Sequence, residues 1–584
     1  MLTAHPHYDK SPCIPVSTDA AECSTGWVQI LSRIRAAVRP GRFVICAECY
    51  PGAFVREIAG IFEQTLHPEL LLAVEDCFHP PEVLDRMLAN RLTDDPVFGR
   101  MCPLDLENFL DPRRVEEFRR AIDGASGLVV IAGSGASLVA AHWDLLVYCS
   151  LARWEIQQRQ RRGEIGNLGA DNPGASAQAK YKRAFFADWR AADRLKCRLY
   201  DRIDFLLDTN DSCAPKMISG DAFRRALAQL VRRPFRVVPY FDPGPWGGEW
   251  MRRTFDLPSG PPNFAWCFDC VPEENSLLLG FGSEKIEIPA IDLVFRHPRE
   301  LLGEHVYARF GAEFPIRFDL LDTMGGGNLS LQVHPLASYI REQFGMPYTQ
   351  DESYYLLDAA PDAVVYLGLK EGIDRRRAIV DLERTQSTAF AFPAENFVNA
   401  WPARKHDHFL IPAGTIHCSG RNSMVLEISA TPYIFTFKLW DWDRLGLDGQ
   451  PRPIHIEHGI RNIQWDRTAG WVRDELINRV GALATMPGWT EERTGLHPLE
   501  FIETRRHWFT APVPHDTHGT LNVLNLVEGD EAIVESPDGA FEPWAVHYAE
   551  TFIVPAAVGR YIIRPAYPPA GRIATLKAFV RENQ

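Results

Sequence analysis

The chain has 584 residues, a formal net charge of -14, 46% hydrophobic residues and 24% charged ones. That length exceeds what one hydrophobic core supports, so three or more domain-sized units are expected. The acidic balance argues against DNA or RNA as the main partner. No apolar run approaches the roughly 18 residues that span a bilayer, and the opening "MLTAHPHYDKSPCIPVSTDA" lacks the basic and then apolar regions of a signal peptide, so a soluble cytoplasmic protein with no membrane partner is the expectation.

Residues 1–40 read as an N-terminal extension. From 41 to 233 short apolar runs ("RFVICAECYP", "LVVIAGSGAS", "WDLLVYCSL", "RIDFLLDTN") alternate with amphipathic stretches such as "PRRVEEFRRAID" and "GDAFRRALAQLVRR". Strands alternating with helices predict an α/β domain on a parallel sheet. The Gly-, Ala-, Asn- and Ser-rich "GEIGNLGADNPGASAQAKYK" reads as a mobile loop or lid. This half weakly resembles a P-loop nucleoside kinase of the uridine-kinase kind, with "GRFVICAECYPGAFVREIAGIF" where strand, phosphate loop and helix would lie. A working loop reads G-x-x-x-x-G-K-[ST]. Here "AECYPGAFV" keeps one glycine and lacks both the Lys and the hydroxyl residue, which implies a degenerate fold without ATP hydrolysis by that mechanism.

Twelve cysteines are scattered along the chain. Two C-x-x-C pairs, Cys46/Cys49 and Cys267/Cys270, lie more than two hundred residues apart on strand-like runs, where positions i and i+3 face opposite sides. Buried reduced thiols are expected there rather than a metal or redox pair.

Beyond "RRPFRVVPYFDPGPWGGEW" short strands are punctuated by Pro and Gly, the texture of a β-sandwich or barrel. The phrases "FLIPAGTIHCSG" and "FIVPAAVGRYII" resemble each other, one copy with a His and one without, and hint at a duplicated barrel. The helical "GIRNIQWDRTAGWVRDELINRV" bridges the two.

Within "GGGNLSLQVHPLASYI" the alternation turns Leu329, Leu331 and Val333 to one face and Ser330, Gln332 and His334 to the other. An amide and an imidazole two residues apart are either a solvated surface or two ligands aimed into one cavity. Glu352 precedes an apolar strand, and His417 stands in the Gly-containing turn "IPAGTIHCSG". Taken singly, each residue is more often structural. Together they form a mixed N/O set suited to a divalent metal such as zinc, with room for water or substrate. "KHDHFLIP" offers a rival pair, His406 and His408, read as surface histidines.

The segments "LSLQVHP", "DESYYLLDAAPDAVVYLGLKEGID", "IPAGTIHCSG", "VLEIS" and "LWDWDRLGLDGQPRPIHIEHGIRNI" resemble class I mannose-6-phosphate isomerases, in that order and at fitting separations, over about residues 235–584. The resemblance implies two cupin (jelly-roll) barrels, a metal-binding one over 234–465 and, with the helical bridge, a second over 466–584. It further implies one zinc per chain held by Gln332, His334, Glu352 and His417, and an aldose–ketose isomerase acting on a small sugar phosphate. Glu427 matches an acidic active-site position and is the candidate for proton transfer; Lys438 and Arg444 are candidate anion contacts.

Four positions depart from the family pattern. Gln350 and Asp319 stand where lysines are expected, Lys438 where an arginine is, and Phe264 where a glutamate is. An Arg-to-Lys exchange loses the bidentate fork that suits phosphate, and Lys to Asp sets a negative charge where an anion has to approach. The leading expectation is a zinc-dependent isomerase of mannose 6-phosphate and fructose 6-phosphate or a related sugar phosphate. The alternative is a metal-holding cupin that senses or binds a sugar without isomerising it.

Overall fold

In the computed structural model, which describes residues 8–17, 22–387, 390–568 and 571–582, the run FVICAEC forms a wholly buried strand, β1 (Phe43–Cys49). It pairs in parallel with β3 (Leu128–Gly133) and β4 (Leu145–Ser150). Beyond these lie β2 (Leu70–Ala73) on one side and β5 (Phe205–Asp208) on the other, also parallel. The order β2-β3-β1-β4-β5 is extended by the antiparallel β6 (Lys216–Ser219) and the short strand Ser24–Thr25. A parallel sheet is covered on both faces, which is why these strands read as continuous apolar runs. Asp111 caps the helix Pro112–Gly124 by accepting from the Arg113 amide, with Pro at the first helical position.

The turn between β1 and the helix Val55–Leu66 is not an open phosphate cradle. The amides of Tyr50, Ala53 and Val55 already donate to carbonyls of Cys149, Tyr50 and Ala53. Gly52 has φ +108°, and a Cβ there would lie 2.9 Å from Ile156 Cγ1, so the helix Arg153–Arg161 packs straight onto the turn; Arg159 Nη1 donates to the Gly52 carbonyl at 2.9 Å. The phosphate-loop reading therefore gains no support. The stretch read as a mobile lid is tied down too: Asn167 is buried and donates to Asp188 Oδ2 at 2.8 Å and the Lys180 carbonyl at 3.0 Å, while Lys180 Nζ donates to the Pro173 carbonyl.

The chain divides into two units, and the boundary is not a single cut. Cys13–Gln229 with Glu273–Arg296 form one, and residues through Pro12, Leu230–Pro272 and His297 onward form the other. The returning segment stays with the first unit for visible reasons. Its hairpin, Ser276–Phe281 with Glu284–Pro289, takes Cys13–Pro15 as a parallel third strand. Asp292 also forms an ion pair of 2.6 Å with Lys196, both side chains almost wholly buried.

The second unit holds two pairs of facing antiparallel sheets. The first pair has a six-stranded sheet built from β7 (Tyr240–Asp242), β8 (Trp266–Cys270), β9 (Ile316–Asp322), β11 (Glu352–Ala359), β14 (His408–Ile411) and β16 (Ser423–Ala430), in the order β14-β11-β16-β9-β8-β7. Opposite lie β10 (Leu331–Val333), β12 (Val364–Leu369), β13 (Val398–Pro402), β15 (His417–Ser419) and β17 (Phe437–Trp440), in the order β13-β12-β15-β10-β17. Helices Ile456–Asn462 and Ala469–Glu475 follow. The second pair begins with β18 (Gly481–Met486), β19 (Trp489–Gly495), β20 (Ile502–Phe509), β21 (Val513–Asp516) and β22 (Asn522–Glu528). It ends with β23 (Glu531–Glu535), β24 (Trp544–His547), β25 (Thr551–Val554), β26 (Arg560–Pro565) and β27 (Ile573–Val580). Its two sheets close on one apolar core in which Leu524, Phe552 and Ile573 meet Val534, Val546 and Ile563.

The two similar phrases occupy matching places: β14–turn–β15 in the first pair and β25–turn–β26 in the second, with Arg560 where the first copy has His417. Cys46, Cys49, Cys267 and Cys270 are buried and form no disulfide, each pair along one strand. Among the described residues no helix is long and apolar enough to cross a membrane.

Candidate metal centre and its cavity

The strand that carries Gln332 is only three residues long and buried on both faces, with Leu331 and Val333 at 0% exposure and His334 at 1%. The solvated-surface alternative is thereby excluded. Gln332 sits opposite His417 across β10 and β15, and Glu352 reaches the same point from the start of β11 in the facing sheet. His334 Nε2 lies 3.0 Å from Glu352 Oε2, and His417 Nε2 lies 2.8 Å from Glu352 Oε1. The Gln332 amide is 3.2 Å from His417 Nε2, and a flip of that amide turns its oxygen toward the cluster.

His334, Glu352 and His417 are the one group among the described residues whose ligand atoms lie close enough together to hold a metal ion. Their other contacts suit that task. His417 Nδ1 is 2.9 Å from the Thr415 carbonyl, and His334 Nδ1 is 3.4 Å from the Phe435 carbonyl. Each ring thus donates outward and presents Nε2 inward, the arrangement that orients metal-ligating imidazoles. Burial raises the pKa of Glu352, but His334 and His417 outweigh it and hold the carboxyl well below its ordinary value. A buried carboxylate flanked by two imidazoles and an amide fits a divalent cation.

A cavity of about 230 Å³ opens beside this cluster, lined by Gln332, Gln350, Glu427 and Lys438 among others. Gln350 Nε2 donates to Glu352 Oε2 at 2.9 Å, so Gln350 touches the cluster directly. Asp319 and Glu427 are register partners on β9 and β16. Arg317 donates from Nη2 to Glu427, and its Nη1 lies 3.2 Å from Asp319 Oδ2. Burial works against the guanidinium charge, but Asp319 and Glu427 outweigh it and lift its pKa. Burial pushes the Glu427 carboxyl up, with the Glu352 carboxylate adding to the effect, and it raises Asp319 further still. Asp319 Oδ1 and Gln350 Oε1 are buried with no partner among the described residues.

Lys438, the register partner of Gln332 across β10 and β17, and Arg452 also line the cavity. Burial, with Arg452 nearby, pushes the Lys438 ammonium down to about 7. Arg452 Nη1 lies 3.1 Å from Asp441 Oδ2 and 3.3 Å from Ser330 Oγ. Arg444 is not on the wall: it bonds Asp441 Oδ1 at 2.7 Å and the Asn328 carbonyl. Phe264 is buried against Phe241 and Arg252 and also lies off the wall.

Arg317, Arg452 and an aromatic wall of Trp246, Trp266, Phe268 and Tyr433 were not singled out in the sequence. Arg317 had a signal, since it lies two residues before Asp319 and so on the same strand face. The reading of His406 and His408 as surface histidines is corrected: His408 is buried, its ring 5.6 Å from that of Tyr355, and His406 bridges Tyr355 Oη at 2.9 Å and Glu528 Oε2 at 3.1 Å. The second sheet pair covers this loop, which no local pattern announces.

The chain is similar to mannose-6-phosphate isomerases. It is 28% identical over 217 residues to the mannose-6-phosphate isomerase of Streptococcus mutans, covering 37% of this chain and 63% of that protein, under two thirds of its length. It is 26% identical over 239 residues to the probable mannose-6-phosphate isomerase GmuF of Bacillus subtilis, covering 40% and 69%. A solved mannose 6-phosphate isomerase from Bacillus subtilis superposes with a TM-score of 0.49 at 18% identity, over 59% of this chain and 99% of that one. Residues 26–232 match a family described as a domain of unknown function (DUF8485).

Proposed function

We propose that the chain is a zinc-dependent aldose–ketose isomerase that interconverts mannose 6-phosphate and fructose 6-phosphate or a closely related sugar phosphate. The observation that carries this reading is the convergence of His334, Glu352 and His417 on one buried point, with Gln332 beside them and Glu427 on the adjoining wall. Gln332, His334, Glu352 and His417 would hold the metal. When bound there, zinc supplies Lewis acidity for a carbonyl oxygen.

The remaining chemistry falls to side chains. Glu427, its pKa raised by burial, is assigned the proton that moves between C1 and C2; a general base works best with a pKa near the operating pH. Arg317 and Ser429 fix the Glu427 carboxylate, Ser429 Oγ donating to it at 2.9 Å. Lys438 and Arg452 supply positive charge for the phosphate, and Arg444 orients Arg452 by sharing Asp441. Trp246 and Trp266 give the sugar an apolar face.

We assign the two facing sheet pairs to a metal-binding cupin domain (234–465, apart from the returning segment Glu273–Arg296) and a helical bridge with a second cupin domain (466–584), following in sequence an α/β unit given no nucleotide chemistry. The deciding experiment is a coupled assay of purified, zinc-loaded protein against mannose 6-phosphate and fructose 6-phosphate. A second reading, a metal-holding sugar sensor without turnover, is favoured by one feature: Arg317 clamps Glu427 by a charged hydrogen bond. Substrate binding without turnover would select it.

A further inference from the structure

We propose that a second cavity, separate from the one beside the metal cluster, binds a neutral monosaccharide. It has a volume of about 450 Å³, roughly twice that of the cavity beside the metal cluster, and the two share no lining residue. The volume falls in the range of small-molecule sites.

Its wall has the chemistry a pyranose recognises. Trp471 contributes an indole, with the Arg467 guanidinium 5.3 Å from its ring centroid. Around it stand Asp351, Asp466, Gln464 and Thr349. Carboxylates, an amide and a hydroxyl can each accept from or donate to vicinal sugar hydroxyls, while the indole face takes the C–H side of the ring. The charge balance selects against a phosphate. The Asp466 carboxylate and the Asp351 carboxyl, which burial pushes up to about 7, face one guanidinium, whose Nη1 already donates to the Pro412 and Ala413 carbonyls and to Thr415 Oγ1. Repulsion of an anion by that balance leaves an uncharged hexose as the fitting occupant.

The site is also wired to the metal turn. Arg467 holds the Pro412–Thr415 turn that leads into His417. The Gln464 backbone N–H donates to the Gly414 carbonyl at 2.9 Å while its side-chain amide donates to the Asn462 carbonyl at 3.3 Å, and the Gly414 N–H donates to the His334 carbonyl at 3.0 Å. A sugar that orders Arg467 and Gln464 stiffens the backbone carrying two imidazoles of the cluster, so it slows loss of the metal; reciprocally, metal tightens sugar binding.

The inference rests on this cavity alone and stands whether or not the chain turns over a sugar phosphate. The test is titration of the full-length, zinc-loaded protein with D-mannose, D-fructose and D-glucose, followed by tryptophan fluorescence and ligand-observed NMR. At least one hexose is expected to bind with Kd of about 1 mM, to lose binding at least tenfold in Trp471→Ala and in Gln464→Ala, and to keep it in Trp246→Ala. Zinc release to a chelator is expected to slow when that hexose is present. Circular dichroism reports whether Trp471→Ala is folded, and if it is not, Gln464→Ala decides. Absence of binding in the parent protein overturns the proposal. So does binding that survives the folded variants, is lost in Trp246→Ala, is displaced by mannose 6-phosphate, or leaves zinc release unchanged.

Discussion

Arg317 lies between Asp319 and Glu427, hydrogen-bonded to the second and 3.2 Å from the first. All three are buried on adjacent strands of one sheet. Asp319 is an acid at the position where the resemblance led to the expectation of a lysine, and Arg317 stands two residues earlier on the same strand face. The Arg317 guanidinium points at the carboxylate assigned to proton transfer.

Removing that cation leaves two buried carboxylates facing each other. Breaking a buried ion pair by deleting one partner costs about 3–5 kcal/mol. Arg317→Met is therefore expected to lower unfolding stability by that amount in urea melts at neutral pH. Adding Asp319→Leu is expected to recover more than half of it. A loss below about 1 kcal/mol, the scale of an exposed pair, would show that the charges are not coupled as described.

The metal cluster predicts stoichiometry. Protein purified without chelator is expected to carry about one zinc per chain by elemental analysis, and His334→Ala or His417→Ala to lose most of it, since opening the first shell weakens affinity sharply. Full occupancy in the double variant would sink the assignment.

Legibility differed with the range of the interactions involved. Gln332 and His334 stood out because strand alternation put them on one face and Pro335 closed the run; their burial followed from the facing sheet, which no local window contains. Arg317 was readable from the same alternation with Asp319, whereas Arg452 lies in a loop after β17, where no period places a side chain. In the front unit the alternation of strands and helices was plain. The packing of Ile156 and Arg159 onto the Gly52 turn was not, because it joins residues a hundred positions apart.

His408 makes stability depend on pH. Burial, with Arg506 nearby, pushes its pKa down to about 3, against about 6.5 in an unfolded chain. Between those values the unfolded state binds a proton that the native state refuses, so its contribution is fully present above about 6.5 and falls as pH drops, by about 5 kcal/mol over the whole window. In His408→Leu the urea midpoint is expected to fall less steeply from about pH 6.5 to 4 than in the parent. Parallel curves would contradict a neutral buried imidazole.

In the front unit the Tyr50, Ala53 and Val55 amides of the β1–helix turn are already taken by carbonyls, and the turn has neither Lys nor Ser/Thr for a phosphate. Millimolar Mg-ATP is thus expected neither to be hydrolysed nor to raise Tm, since only a ligand of the native state stabilises by mass action. An upward shift that vanishes on altering Gly52 or its neighbours would overturn this reading of the turn.

Catalysis supplies the last test. Glu427→Gln keeps the shape of the side chain but cannot accept a proton, so it is expected to retain zinc and fold while kcat falls by about 10² or more, with KM changed much less. The surrounding charges can be moved back toward the isomerase pattern, but not by Asp319→Lys alone, because the new ammonium would meet the Arg317 guanidinium. The variant to make is Arg317→Leu with Asp319→Lys and Gln350→Lys, which frees Glu427 from its clamp and turns two cations toward the cavity. A charged hydrogen bond is worth about 1.5–3 kcal/mol, so kcat/KM for mannose 6-phosphate is expected to rise at least about tenfold. A fall instead, in a protein that still binds zinc, would mean that Arg317 and Asp319 are fitted to a different sugar phosphate. No turnover in the parent or in this variant would leave the sugar-sensor reading standing.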